Sequence, residues 1–276
     1  MDQEAGVITL AVGYVILGVG AGIYGSIIGL GGGAIIVPVL LLVFHMDIRH
    51  TVAVSLMAVF ANALSGSLAY ARQKRIDYRS GLWFAGMAIP GSLAGTLIVP
   101  FVPAKIFTMI FGGLFAIVSV FLFLKPSGFQ DGGCHRPGKA RIIRDSRGHT
   151  FRYRVSLARG LPFSFVAGCL SSLLGIGGGV LHMPAMILWL GFPHHIAVAT
   201  SQFIITISAF IGSCVFLAQG QVLPGPAIAI AAGAIIGAQV GARITRHLSG
   251  NWLSRLLALA LAAVGIRMLL MSWWGH

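Results

Sequence analysis

Acidic residues are scarce in this chain, and they all fall outside its long apolar stretches. The 276 residues include six Asp and Glu, and charged residues of either sign make up 9% of the total. Soluble domains carry about a quarter charged residues, so this composition argues against one. The placement excludes a proton relay or a sodium site built on a carboxylate inside an apolar segment. The acidic residues are Asp2, Glu4, Asp47, Asp77, Asp131 and Asp145.

Cysteine is also scarce, and its three positions form no paired motif. Cys169 and Cys214 lie in apolar segments, where cysteine acts as a small packing residue. Cys134 beside His135 provides two of the four ligands that a structural zinc site usually needs. The apolar segments also lack a carboxylate pair or a metal-binding cluster, which argues against a membrane enzyme. We therefore predict no catalytic residues, no metal and no cofactor.

Long apolar runs dominate what is present. Hydrophobic residues make up 57% of the chain, the mean hydropathy is +0.92, and several runs reach the roughly 20 residues that a bilayer-spanning helix needs. The first run, Gly6 to Ile28, follows acidic residues and not a basic segment, so it does not look like a cleaved signal peptide. The sequence predicts an all-α integral membrane protein.

The net charge of +13 is concentrated in three short segments. Ala71 to Arg79 has a net charge of +3, Lys125 to Arg159 has +7, and Arg243 to Arg255 has +3. This clustering between apolar runs is typical of the positive-inside bias and not of a nucleic-acid-binding patch. We expect the bilayer, with its anionic headgroups, to be the partner of these segments and expect no nucleic acid.

The chain contains an internal repeat at a constant offset of 146 residues. Gly29 Leu30 Gly31 Gly32 Gly33 with Pro38 recurs as Gly175 Ile176 Gly177 Gly178 Gly179 with Pro184. The same offset pairs Ser26 with Ser172, Gly66 with Gly212, Gly91 with Gly237 and Gly95 with Gly241. Identities this far apart at one offset indicate a duplication.

Each glycine cluster interrupts an apolar segment that is too long for one span. The arm that follows it is about 16 Å long at 1.5 Å per residue, which is too short for a core of roughly 30 Å, so each repeat is predicted to begin with a re-entrant helical hairpin. Three spans follow in each repeat. The predicted parts are repeat 1 at 1–124 (hairpin 6–44, spans 50–70, 80–99 and 104–124), a basic linker at 125–158 without a domain of its own, and repeat 2 at 159–276 (hairpin 159–190, spans 195–218, 224–245 and 251–270).

A hairpin plus three spans makes an odd number of crossings, so the two repeats are predicted to have inverted topology. If the chain starts outside, all three basic segments fall in the cytoplasm, the linker 125–158 included, and both termini lie outside. Full crossing by the glycine segments would give parallel repeats, which fit the charges less directly. We expect a multi-pass protein of the bacterial inner (cytoplasmic) membrane.

The glycine clusters are the first candidate site. Helices that begin after such breaks offer free N–H groups and a partial positive charge, and inverted hairpins bring two of these ends together near the bilayer midplane. The alternative is that the glycines only allow close helix packing. The candidate substrate-binding glycines are Gly29, Gly31, Gly32, Gly33, Gly175, Gly177, Gly178 and Gly179.

Neutral polar side chains near the clusters form the second candidate site. Ser55, Thr200, Ser201 and Gln202 follow the hairpins, and they offer neutral hydrogen bonds to an anion. The three hydroxyls could equally bond to their own helix, and Asn62 could equally be an interhelical contact. His182 is the one titratable side chain expected near the clusters, and it either contacts substrate, carries a proton or packs in the core.

With its duplicated glycine motif and the Ala53 Val54 Ser55 and Ala199 Thr200 Ser201 segments, nearly the whole chain outside the linker resembles the TauE/SafE sulfite exporter family. The resemblance implies export of sulfite, sulfonates or related sulfur-containing anions, with the hairpins and the following spans forming the pathway. Val54 stands where repeat 2 has Thr200, so the first half provides fewer hydroxyls.

We therefore predict a secondary transporter that exports a small sulfur-containing anion by alternating access, driven by the membrane potential. The alternative is a transporter of another small organic anion such as a carboxylate, with or without proton coupling through His182. A membrane enzyme or accessory protein is the third reading. A homodimer is compatible with the sequence, which does not decide the oligomeric state.

Overall fold

The computed structural model describes residues 2–123, 139–245, 259, 262–267 and 270. The predicted span 251–270 and Cys134 therefore lie mostly or wholly outside the described residues. The described elements are α1 (Asp2–Ile28), α2 (Gly33–Leu42), α3 (Ile48–Arg72), α4 (Tyr78–Ile98), a 3₁₀ turn (Val99–Phe101), α5 (Ala104–Phe123), β1 (Lys139–Arg144), β2 (Thr150–Val155), α6 (Leu157–Leu174), α7 (Gly179–Leu188), α8 (His194–Ala218) and α9 (Pro224–Ile244).

Six of the described helices are long and apolar enough to cross a membrane: α1, α3, α4, α6, α8 and α9. Helices α2 and α7 have 10 residues each and are about 15 Å long, half the thickness of the hydrocarbon core. The expectation of a helical, multi-pass membrane protein is thus confirmed.

Close backbone contacts join α1 to α9 and α4 to α6. A Cβ atom on Gly22 would lie 2.7 Å from the carbonyl oxygen of Ala234, and one on Gly168 would lie 2.5 Å from that of Ala88. Residues without side chains at these points let the helix backbones touch, as is common in membrane bundles. In both pairs, glycines further along one helix meet residues further along the other helix, so the two helices of each pair run parallel.

Helices α3 and α8 cross in the centre of the bundle and run in opposite directions. Ser67, near the end of α3, bonds to Thr206 in the middle of α8 at 3.1 Å, whereas the rings of Phe60 and Phe210 lie 5.2 Å apart. The contact position therefore advances along α8 as it retreats along α3. More than half of the residues in each of these helices are buried, as expected of helices in the middle of the bundle.

The bundle has two distinct ends. At one end, Arg49 donates to the Pro100 carbonyl at 2.8 Å and His50 Nδ1 lies 2.7 Å from the Gln221 carbonyl. We call this the turn end. At the other, the linker end, Tyr70 and the α3–α4 loop meet the end of α9, where Tyr70 donates to Thr245 at 3.2 Å.

The linker contains a β-hairpin at residues 139–155, which the all-α prediction did not include. Strands β1 and β2 pair antiparallel, with Ile142 opposite Arg152. Alternating residues in 150–155 fit a strand, and Gly148 adopts the left-handed conformation (φ 88°) that the tight turn requires. The sequence pattern is short and rich in arginine, which concealed this periodicity.

Buried ionic and hydrogen-bonded contacts attach the β-hairpin to the α3–α4 loop. Arg75 Nη2 lies 3.0 Å from Asp145 Oδ2, with both side chains buried, and Tyr153 donates to Asp77 at 2.8 Å. Burial raises the pKa of Asp145, but hydrogen bonds from Arg75, Arg147 and His149 outweigh it and hold the pKa at about 2. Burial, followed by the charge of Asp77, raises the pKa of Tyr153. The Asp145 carboxylate therefore stays ionised and the Tyr153 phenol stays protonated at neutral pH.

Candidate functional site

The two glycine clusters contact each other directly. A Cβ atom on Gly33 would lie 2.6 Å from the Gly175 carbonyl oxygen, and one on Gly179 would overlap the Gly29 carbonyl. We call residues 29–32 tip 1 and residues 175–178 tip 2. The sequence prediction that the two clusters come together agrees with this geometry.

Left-handed backbone explains most of the glycines in the two tips. Gly29, Gly31 and Gly32 have φ between 80° and 85°, and the equivalent residues of tip 2 have φ between 72° and 92°. Residues with a side chain rarely adopt this conformation. Gly33 has an ordinary φ, and its lack of a side chain is required by the contact with the opposite tip.

The tips meet beside the midpoints of the two central helices. A Cβ atom on Gly31 would lie 2.9 Å from Val59 and 3.2 Å from Ile205, and one on Gly177 would also contact both side chains. Val59 and Ile205 are each the twelfth residue of a 25-residue helix. Both side chains are fully buried, so the tips lie at the centre of the bundle.

Ser55 and Ser201 bind the tips reciprocally. Ser55 Oγ donates to the Gly175 carbonyl at 2.7 Å, and Ser201 Oγ donates to the Gly29 carbonyl at 2.9 Å. Each serine thus fixes the tip of the opposite half. Both predicted site residues reach the tips, but their hydroxyl protons are already used by protein carbonyls.

Gln202 and Asn62 lie at tip 1 with part of their hydrogen-bonding capacity unused. Gln202 Nε2 donates to the Gly25 carbonyl at 3.0 Å, and Asn62 Oδ1 accepts from Ser26 at 3.0 Å. Both side chains are fully buried. Gln202 Oε1 and Asn62 Nδ2 have no hydrogen-bond partner among the described residues.

Thr200 lies away from the tips. Its Oγ1 accepts a hydrogen bond from the backbone N–H of Asp77 at 3.0 Å, at the start of α4. The hydroxyl therefore connects α8 to the α3–α4 loop at the linker end. The sequence placed Thr200 beside Ser201, but on a helix neighbouring residues point in different directions.

His182 lies at tip 2, and both of its ring nitrogens have protein partners. Nδ1 lies 3.0 Å from the Gly178 carbonyl and Nε2 lies 2.8 Å from Ser164 Oγ. A carbonyl can only accept, so Nδ1 carries a proton, and the Ser164 hydroxyl donates to Nε2 when the ring is neutral. This arrangement favours the packing interpretation of His182.

A second hydroxyl cluster lies on the other side of the tips. Ser92 Oγ lies 2.6 Å from Ser172 Oγ and 2.8 Å from the carbonyl of Ser208, and all three residues are buried. The 146-residue offset pairs Ser172 with Ser26, and neither serine was among the predicted site residues. The shared offset was the available signal, because Ser26 bonds Asn62 in the equivalent place.

Similarity to known proteins fits this architecture. The sequence profile described as "Sulfite exporter TauE/SafE" matches residues 14–268. The chain belongs to the TauE/SafE family. No group of three or more His, Cys, Asp or Glu within the described residues could hold a metal ion.

Relatives of this TauE/SafE protein carry membrane-transporter names. The probable membrane transporter protein YunE of Bacillus subtilis is 36% identical over 92% of this chain and 96% of its own length. YdhB of the same organism is 24% identical over 90% and 96%, and YfcA of Escherichia coli is 24% identical over 88% and 83%. No solved structure gives a significant match. The protein is a membrane transporter and not an enzyme.

Proposed function

We propose that this TauE/SafE protein exports sulfite or an organosulfonate across the bacterial inner membrane by alternating access. The substrate anion binds at tips 1 and 2, and the membrane potential drives it outward. The class of substrate comes from the family, and the anionic character comes from the site. The meeting of two helix N-termini at the centre of the bundle is the observation that carries the proposal.

The proposal includes two repeats of inverted topology. Helices α3 and α8 are equivalent at the 146-residue offset, and their antiparallel crossing is what inversion requires. The parallel pairs α1 with α9 and α4 with α6 fit the same relation. Because α2 and α7 are only 10 residues long, we interpret them as the returning arms of re-entrant hairpins.

Anion binding at the tips follows from the start of α2 and α7. Each helix begins directly after a left-handed glycine, and the first N–H groups of a helix have no partner within it. Buried in a low-dielectric interior, these N–H groups and the helix dipole favour a negative charge without using a cationic side chain. Because the site has no cationic side chain, it binds the anion and can still release it.

Potential-driven export fits the charges around the tips. The described membrane-spanning helices contain no Asp or Glu in their apolar parts, and His182 is engaged by Gly178 and Ser164. Proton coupling through a carboxylate in these helices or through His182 is therefore disfavoured. Outward movement of one negative charge releases about 2.3 kcal/mol per 100 mV, which supports a gradient of roughly fifty-fold.

Flux measurements in proteoliposomes at controlled potential test this function. We expect a monovalent organosulfonate to reach a distribution ratio of about fifty-fold at 100 mV, and sulfite to compete with it. Empty liposomes and acetate as a comparison anion are the controls. Flux that ignores voltage and follows a pH gradient would refute potential-driven export, and preference for acetate would refute the substrate class.

A further inference from the structure

Two buried hydrogen-bond donors without partners among the described residues lie beside the helix starts at the tips. Asn62 Nδ2 and Ser171 Oγ form no hydrogen bond within the described residues, and their side chains are 0% and 2% exposed. A buried donor without a partner costs about 1–3 kcal/mol. In a bundle whose other hydroxyls mostly find carbonyls, such atoms indicate places where another molecule completes the hydrogen bonds.

Each of these atoms faces the N-cap residue of a short helix. A Cβ atom on Gly32, the N-cap of α2, would lie 3.5 Å from Asn62 Nδ2. One on Gly178, the N-cap of α7, would lie 3.3 Å from Ser171 Oγ and 3.1 Å from His182 Nδ1. A side-chain donor and a helix N-terminus thus converge at each tip, which is an arrangement that favours an oxyanion.

The two places lie on opposite sides of the contact between the tips. Asn62 follows Val59 toward the linker end and accepts a hydrogen bond from Ser26. The Ser26 carbonyl in turn accepts from Tyr70, which lies at the linker end, at 2.7 Å. Ser171 is adjacent to Ser172, which bonds Ser92. Ser92 in turn donates to the carbonyl of Ser208, and Ser208 lies beyond Ile205 toward the turn end. Val59 and Ile205 fill the space between.

We propose that the protein has two separate anion sites, one at Asn62 with the start of α2 and one at Ser171 with the start of α7. This inference rests on the proposed function and divides its single site into two stations. An oxyanion with three oxygens, such as sulfite, accepts from the side-chain donor and the helix N–H groups together. The anion passes from the Asn62 station to the Ser171 station during export.

Calorimetric titration of the purified full-length protein with sulfite tests the two stations. We expect two sites per chain in the unmodified protein. Ser171→Ala weakens one of them about tenfold or more, the effect of a lost hydrogen bond to a charged ligand. Asn62→Leu weakens the other. Ser213→Ala is the matched control, because Ser213 Oγ is also buried and without a partner among the described residues, and Ser213 lies about 12 Å along α8 from Ile205 at the tips.

Thermal unfolding without sulfite separates a ligand contact from a structural role. Ser171→Ala removes no existing hydrogen bond, so its unfolding temperature stays at or above that of the unmodified protein. Should Asn62→Leu fail to fold after losing its bond to Ser26, Ser171→Ala decides the matter alone.

Unchanged sulfite binding in Ser171→Ala, or one site per chain in the unmodified protein, would overturn the two stations while flux in proteoliposomes remains. Absence of both sulfite binding and flux in the unmodified protein would overturn the proposed function itself.

Discussion

Ser55 and Ser201 have the same structural role in the two repeats. Each serine donates to the carbonyl of the first glycine in the other repeat's tip. Such a carbonyl, turned outward by left-handed backbone, cannot join a helix ladder. At membrane depth water does not replace the missing donor. The two hydroxyls therefore stabilise the tips in the arrangement that brings the helix starts together.

Replacing Ser201 by Ala leaves the Gly29 carbonyl buried without a donor. We expect the free energy of unfolding to fall by about 1–3 kcal/mol. Thermal or denaturant unfolding in detergent measures the loss, and Ser213→Ala is the control because it removes a hydroxyl that bonds nothing among the described residues. Equal stability of the two variants would contradict the role assigned to Ser201.

Most of the polar residues at the tips are predictable from the sequence, but their hydrogen-bond partners are not. Ser55, Ser201, Gln202 and Asn62 reach the tips, since each follows a hairpin on the helix that passes it. Thr200 does not, because its direction on α8 turns it toward Asp77. A hydroxyl's partner depends on which helices adjoin it, and the linear sequence carries no such information.

At the scale of helices, glycine sets how closely the parallel pairs approach. A Cβ atom on Gly91 or Gly95 in α4 would overlap the backbone of α6 at Phe165 and Cys169. Gly86, on the same helix, has no atom within 4 Å of such a Cβ and is exposed. One helix thus offers a glycine that packs and a glycine that does not.

Gly91→Ala and Gly86→Ala should change stability in opposite directions. Gly91→Ala forces α4 and α6 apart, and we expect a loss of about 1–3 kcal/mol. Gly86→Ala meets nothing and improves helix propensity by roughly 0.5–1 kcal/mol. Unfolding in detergent compares the two. A destabilised Gly86→Ala with an unaffected Gly91→Ala would show that α4 packs through a different face.

The repeat offset predicted equivalent glycines at 91 and 237 and at 95 and 241, but not the helices that they contact. Gly237 and Gly241 of α9 meet α1, whereas Gly91 and Gly95 of α4 meet α6. Helix α4 of repeat 1 therefore packs on α6, the first helix of repeat 2, and α9 of repeat 2 packs on α1, the first helix of repeat 1. The β-hairpin escaped prediction for two other reasons. Its short strands are rich in arginine, and its buried contacts are with Arg75 and Asp77, which are distant in sequence.

At the scale of the molecule, basic residues gather at the linker end. The α3–α4 loop, the β-hairpin and the end of α9 contribute to it, and the ion pair of Arg75 with Asp145 joins the first two. The turn end carries few charges, among them Arg49 and Asp47. The positive-inside bias therefore predicts a cytoplasmic linker end, which is the orientation that passage from the Asn62 station to the Ser171 station during export requires.

Cysteine labelling in intact cells tests this orientation. In a background without Cys134, Cys169 and Cys214, Phe101→Cys marks the turn end and Arg147→Cys marks the linker end. Both positions are exposed, Phe101 at 83%. We expect a membrane-impermeant maleimide to label Phe101→Cys in intact cells and Arg147→Cys only after permeabilisation. The reverse pattern would place the linker outside, and outward-moving anions would then meet the Ser171 station before the Asn62 station, against the proposed order.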